Sequence, residues 1–153
     1  MNPDFKEILQ VFEEHDVDYL IVGGYAVIRY SQPRFTKDLD LWIRPSAENA
    51  VKVARAFRAF GIPMVEVSEA DLADEGLQYF VGRPPNAIDF LTTIKGLNFD
   101  AAWANKRVFD TDSGRLSYLS PTDLIISKRA VGRHQDLADV EEILRIHPEA
   151  EPK

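Results

Sequence analysis

The chain has no cysteine among its 153 residues, which excludes a disulfide scaffold, thiolate zinc sites and thiol nucleophiles. Histidine is scarce: only three are present, and His15, His134 and His147 do not form an imidazole metal set. No apolar run approaches the ~20 residues of a membrane-spanning helix. The start, Met1-Asn2-Pro3-Asp4, lacks the basic region and apolar core of a secretory leader, so a cytoplasmic location with no membrane partner is expected. Positive charge is also in short supply, with 18 Lys and Arg against 25 Asp and Glu and a net charge of −7. A protein that tracks a long nucleic-acid backbone carries a basic face. This chain has no block of like positive charge, and broad duplex binding is not expected.

What is present suffices for a core. Hydrophobic residues make up 45% and aromatic residues 10% of the chain, which excludes a disordered body. The length suits one domain, given roughly 100–200 residues per domain. No repeat, low-complexity tract or Gly/Ser linker divides it. The expected organisation is a single domain over residues 1–147, with a core over about 1–112, a helical C-terminal part over about 120–147 and a frayed tail over 148–153.

Periodicity places the elements. Phe5, Ile8, Leu9 and Phe12 recur at helical spacing from Asp4 to His15. Tyr19–Val22 is a short apolar strand that stops at Gly23-Gly24. A short helix over Tyr25–Tyr30 closes before Pro33. The run from Asp38 to Ile43 alternates as a strand whose polar members are both aspartates. Ser46 caps a helix that runs to Gly61. Met64–Val67, Gln78–Val81, Ala87–Ile94 and Arg107–Thr111 read as further strands, with a short helix over Phe99–Ala104. Ser120-Pro121-Thr122-Asp123 is a helix start, with a capping serine, proline at the first helical position and a carboxylate three residues after the cap. That helix continues to Gly132, and another follows from Gln135 to Ile146. The fold class expected is α+β or α/β, a small mixed sheet flanked by helices with a short helical C-terminal cap.

Three carboxylates carry the chemistry. Side chains alternate along a strand, so Asp38 and Asp40 share a face about 6.5 Å apart at Cα. Asp89, bracketed by Ile88 and Phe90, also faces away from its apolar neighbours. If the two strands are adjacent, the three acids converge, and like charges at close range raise one another's pKa. A divalent cation relieves that repulsion, and hard oxygen ligands suit magnesium. Upstream, a strand ending at Gly23-Gly24 and a helix starting at once make a turn where backbone N–H groups favour a phosphate. Together the two halves describe a site for a metal–nucleoside triphosphate.

Val22-Gly23-Gly24, then Asp38-Leu39-Asp40, then Ile88-Asp89-Phe90 resembles the polymerase-beta-type nucleotidyltransferase superfamily. Within it, Gly-Gly-Tyr-Ala followed by Arg34-Phe35-Thr36-Lys37-Asp38-Leu39-Asp40 is similar to small bacterial members related to the abortive-infection toxins of toxin–antitoxin systems. Lys128, Arg133, Asp136 and Asp139 stand in the order of a C-terminal pattern those proteins carry. The resemblance implies a nucleotidyltransferase core and a two-metal transfer of a nucleoside monophosphate from a nucleoside triphosphate to a hydroxyl, with pyrophosphate leaving. It implies magnesium, two ions with manganese as an alternative, on Asp38, Asp40 and Asp89 as catalytic ligands. It implies Gly23 and Gly24 as the triphosphate cradle, with Lys128 and Arg133 neutralising phosphate or binding the acceptor. The acceptor stays open among RNA, a protein and a small molecule, and an antitoxin or a second copy of the chain stands as a further partner. A catalytically degenerate nucleotide- or partner-binding protein and a toxin acting on tRNA are the alternatives.

The chain departs from the superfamily in having Gly24 and Tyr25 where many members place a Ser or Thr hydroxyl. On the residues alone, Lys128 and Arg133 read equally well as exposed helix positions. Asp136 and Asp139 read as acids favoured near a helix N-terminus or as partners that fix Arg133. Arg34 and Thr36 read either as nucleotide contacts or as loop residues.

Overall fold

The structure is a computed structural model that describes residues 1–36 and 38–153. Each helix begins and ends for a local chemical reason. α1 (Pro3–Glu14) starts where the Asn2 side chain accepts from the Phe5 N–H, with Pro3 at its first position. α3 (Ala47–Phe60) starts on the Ser46 hydroxyl and stops at Gly61, whose φ of +104° suits glycine. α6 (Pro121–Val131) repeats this grammar between Ser120 and Gly132. α2 (Gly23–Tyr30), α4 (Glu69–Ala73), α5 (Phe99–Ala104) and α7 (His134–Ile146) complete the α-helices among the described residues.

Six strands, β1 (Tyr19–Val22), β2 (Leu39–Ile43), β3 (Gln78–Val81), β4 (Ile88–Leu91), β5 (Arg107–Thr111) and β6 (Gly114–Tyr118), form one mixed sheet in the order β3-β4-β2-β1-β6-β5. β2 and β4 are parallel, as are β1 and β6, while β1–β2, β3–β4 and β5–β6 are antiparallel. The fold is therefore the mixed α/β architecture expected.

One sheet face is sealed by α1 and α3. Phe90 of β4 meets Phe57 of α3 at 4.7 Å and Phe12 of α1 at 5.9 Å between ring centroids. Leu39, Leu41 and Ile88 are buried beside it. At about 1.5–3 kcal/mol for each fully buried large apolar side chain, this face anchors β2 and β4 and fixes their register. On the opposite face Trp42 is covered by Phe99 of α5 at 5.0 Å, so it is a core residue. No helix among the described residues is long and apolar enough to cross a membrane.

Three local expectations are corrected. Met64–Val67 is a turn rather than a strand: Pro63 immediately precedes it, Val65 is exposed, and Ile62 before it and Val67 at its end are buried. β6 was not anticipated; it is the return strand of a hairpin that starts from the Thr111–Gly114 pair. The tail is not frayed at Pro148–Ala150, which form a 3-10 turn with Ala150 buried. The Thr122 hydroxyl donates to the Ala150 carbonyl at 2.9 Å, and Glu151 pairs with Arg129.

Candidate active site

Sheet register assembles the carboxylates. Val22 pairs with Asp40 across β1–β2, Asp40 with Asp89 across β2–β4, and Asp89 with Phe80 across β3–β4. The sheet therefore carries a row, Val22–Asp40–Asp89–Phe80, on the face opposite Leu39 and Phe90, with Asp38 one strand repeat before Asp40. Asp40 and Asp89 are brought side by side because β2 and β4 are parallel neighbours, a pairing that strand periodicity alone does not specify.

Electrostatics records the crowding. Burial, with the Asp89 and Asp38 charges, pushes the Asp40 carboxyl up to about 7, against a smaller opposing pull from Lys128. Asp89 is also raised by burial and by Asp38, offset by a hydrogen bond from Gln78. Asp38 Oδ1 and Asp89 Oδ1 are buried without a hydrogen-bond partner among the described residues. Buried polar atoms are nearly always satisfied, and an orphaned carboxylate oxygen is an open acceptor for a cation. Among the described residues no group of three or more Asp, Glu or His side chains is placed to hold a metal ion by itself. Magnesium does not require one, since it binds through one or two carboxylates and takes the rest of its shell from water and phosphate. The donor set fits such an ion.

The glycine turn is built around these acids. Gly23 has a φ of +66°, and a Cβ there would lie 2.0 Å from Asp40 Oδ2. At Gly24 a Cβ would lie 2.3 Å from the Thr36 hydroxyl. Both glycines are thus needed first for close approach by protein side chains. α2 starts at Gly23 itself, and its N-cap, Val22, supplies no side-chain acceptor. Among the described residues its first N–H groups thus have no capping side chain, and the positive end of the helix dipole there favours an anion.

The cleft beside the row, about 530 Å³, is lined by Gly23, Asp40, Gln78, Asp89, Lys128 and Arg133 among others. Lys128 and Arg133 therefore do reach the same space as the carboxylates, each already engaged by acids of α7. Lys128 Nζ lies 3.0 Å from Asp139 and 3.4 Å from Asp136. Arg133, largely exposed, pairs with Asp136 at 2.8 Å, which holds that carboxyl below its usual range. Arg34 reaches Asp139 at 3.1 Å. Asp136 and Asp139, both buried, are the counter-charges that place these cations. Lys37 lies outside the described residues.

Sequence reading missed Gln78. Its amide donates to Asp89 Oδ2 at 2.9 Å, orienting that carboxylate and favouring its ionised form. The residue lies on a strand that was read correctly, but only the β3–β4 register reveals what it touches.

No protein-family model and no curated protein matches the chain. Among solved structures, 95% of it is similar to 98% of the lincosamide antibiotic adenylyltransferase LnuA in its lincomycin-bound form, with a TM-score of 0.57 at 14% identity. A second similarity, to an antigenic nucleotidyltransferase-like protein from Paracoccidioides brasiliensis, covers 97% of this chain and 75% of that one, with a TM-score of 0.53 at 16% identity. The chain has the fold of nucleotidyltransferases.

Proposed function

We propose that the chain is a divalent-metal-dependent nucleotidyltransferase that moves a nucleoside monophosphate from a nucleoside triphosphate to a hydroxyl of a small-molecule acceptor. The observation that carries this reading is the row of crowded, partly unpartnered carboxylates ending at an uncapped helix N-terminus. A small acceptor is favoured over RNA by the net charge of −7. It is favoured too by the similarity to nearly the whole of an adenylyltransferase whose structure holds a small molecule.

Asp38, Asp40 and Asp89 would hold magnesium or manganese, which when bound stabilises charge on the entering and leaving oxygens of an in-line displacement. The α2 N-terminus receives the triphosphate through backbone N–H groups. Lys128, a compact cation, offsets charge on that side of the cleft, and Arg133 stands at its more exposed margin. Asp89 lies nearest the open edge strand β3, so the acceptor hydroxyl approaches from there. Its oxygen bonds the α-phosphorus, the bond to pyrophosphate breaks, and the hydroxyl proton passes to solvent water.

Thermal unfolding with each of the four nucleoside triphosphates, with and without magnesium, tests this. Ligand at 100 times its dissociation constant stabilises a fold by ~2.7 kcal/mol. A magnesium-dependent shift that Asp40→Asn abolishes is the expected result. No shift with any triphosphate, in magnesium or in manganese, would overturn the reading.

A further inference from the structure

We infer that a polar cavity beyond the carboxylate row holds the body of the acceptor, and that this acceptor is a compact polyhydroxylated molecule without anionic groups; this rests on the nucleotidyltransferase reading above. The cavity, about 330 Å³, lies at the far ends of β2 and β4, between the segment that follows β4 and the entry to β3. That volume is at the lower end for small-molecule sites, roughly 300–1,000 Å³. Trp42, two residues past Asp40 and on the same sheet face, forms part of its wall. Trp42 is the register partner of Leu91, which lines the catalytic cleft, and Thr93 borders both spaces. The cavity therefore follows the cleft along the sheet face, about 7–13 Å past the acids at one to two strand repeats. Val22 pairs with Asp40 across antiparallel strands, so Gly23 and the α2 start extend away from Trp42. Triphosphate and acceptor thus have opposite ends of the carboxylate row.

The lining selects the ligand. Arg44 is already committed: its Nε donates to Asp18 at 2.7 Å, its Nη1 pairs with Asp100, and its guanidinium lies over the Phe99 ring at 4.8 Å. Glu75 lines the cavity, is exposed, and has no ion pair or hydrogen bond among the described residues. The uncommitted charge in the wall is therefore negative, and a phosphate or carboxylate on the acceptor would be repelled by it. The remaining polar groups are mostly donors. Thr93 Oγ1 accepts from the Gly76 N–H at 2.7 Å, and Asn98 Oδ1 accepts from the Ala101 N–H at 3.2 Å. That leaves the threonine O–H and the asparagine amide to donate. The Trp42 indole N–H is buried with no partner among the described residues, a rare state for a buried donor that a ligand oxygen would relieve. Hydroxyl groups both give and take hydrogen bonds, so a polyol meets the donors and the Glu75 carboxylate together.

The test is titration of isotope-labelled protein followed by NMR at the indole N–H groups. The chain has two tryptophans, and Trp42→Phe tells their signals apart. The probes are glucose, glucosamine and inositol, with gluconate and glucuronate as the anionic pair. At least one of the first three should move the Trp42 signal more than that of Trp103, and the anionic pair should not. In Glu75→Leu, half-saturation should need about tenfold more of that probe, the scale for a lost hydrogen bond to a charged group. Magnesium with a triphosphate labelled at its α-phosphate should then label the same probe. The cavity assignment is overturned, while the nucleotide site stands, if none of the three probes moves the Trp42 signal or if the anionic pair moves it equally. It is overturned in the same way if the bound probe is not labelled, or if magnesium–triphosphate alone moves the signal and excludes the probe. A wild type that no triphosphate stabilises overturns both readings.

Discussion

Two groups of acids lie a short way apart in this molecule and behave in opposite ways. On α7, Asp136 and Asp139 are buried, yet Lys128, Arg34 and Arg133 surround them, and Asp136 is held below the usual carboxylate range. On the sheet, Asp40 and Asp89 are register partners beside Asp38, with two oxygens unpartnered among the described residues and Asp40 raised to about 7. The first group is complete within the protein, and its work is to position cations. The second is offset only weakly, by Lys128, and its arrangement becomes favourable with a cation from outside.

The comparison breaks most sharply through substitution. Asp139→Ala removes the carboxylate shared by Lys128 and Arg34 and leaves Lys128 with Asp136 alone, a loss on the order of 1–3 kcal/mol for hydrogen bonds to a charged group. Urea unfolding should show it. Gly23→Ala adds a methyl group at positive φ against Asp40 Oδ2, so about 1–3 kcal/mol of backbone strain is expected. Its magnesium-dependent nucleotide binding should weaken as Asp40 is pushed from the row. Gln78→Leu has the smallest effect. Without the amide the Asp89 pKa rises further, so the acid limb of the transfer rate against pH should move to higher pH with little change in thermal stability.

Most of the scaffold was readable because its signals are local. The Ser46 and Ser120 caps, Pro121, and the glycines at 61 and 132 mark helix ends that the structure reproduces within a residue or two. The acids and the glycine pair were legible for the same reason, since alternation in Asp38–Ile43 and around Asp89 is a property of each strand alone. What escaped depends on pairing between distant segments: the β2–β4 register that joins Asp40 to Asp89, the Gln78 contact, and the fold-back that lays Thr36 on Gly24. The division of Lys128 and Arg133 between exposed helix and site also needed α7 in place, because the acids that hold both come from it.

The central claim, that burial and then mutual repulsion make the sheet acids unfavourable as anions until a cation arrives, is tested most directly by thermal unfolding of wild type and Asp40→Asn from pH 5 to pH 8 without divalent ions. Asp40 has its pKa raised from 3.8 to about 7 in the fold, so the folded state binds the proton more tightly than the unfolded state does. Its contribution to stability is therefore lost as pH rises from about 4 through 7. Wild type should lose stability relative to Asp40→Asn over this range, leaving the variant the more stable protein at pH 8, and saturating magnesium–nucleoside triphosphate should restore the wild type alone. A variant less stable than wild type at pH 8 in the absence of metal would contradict the account.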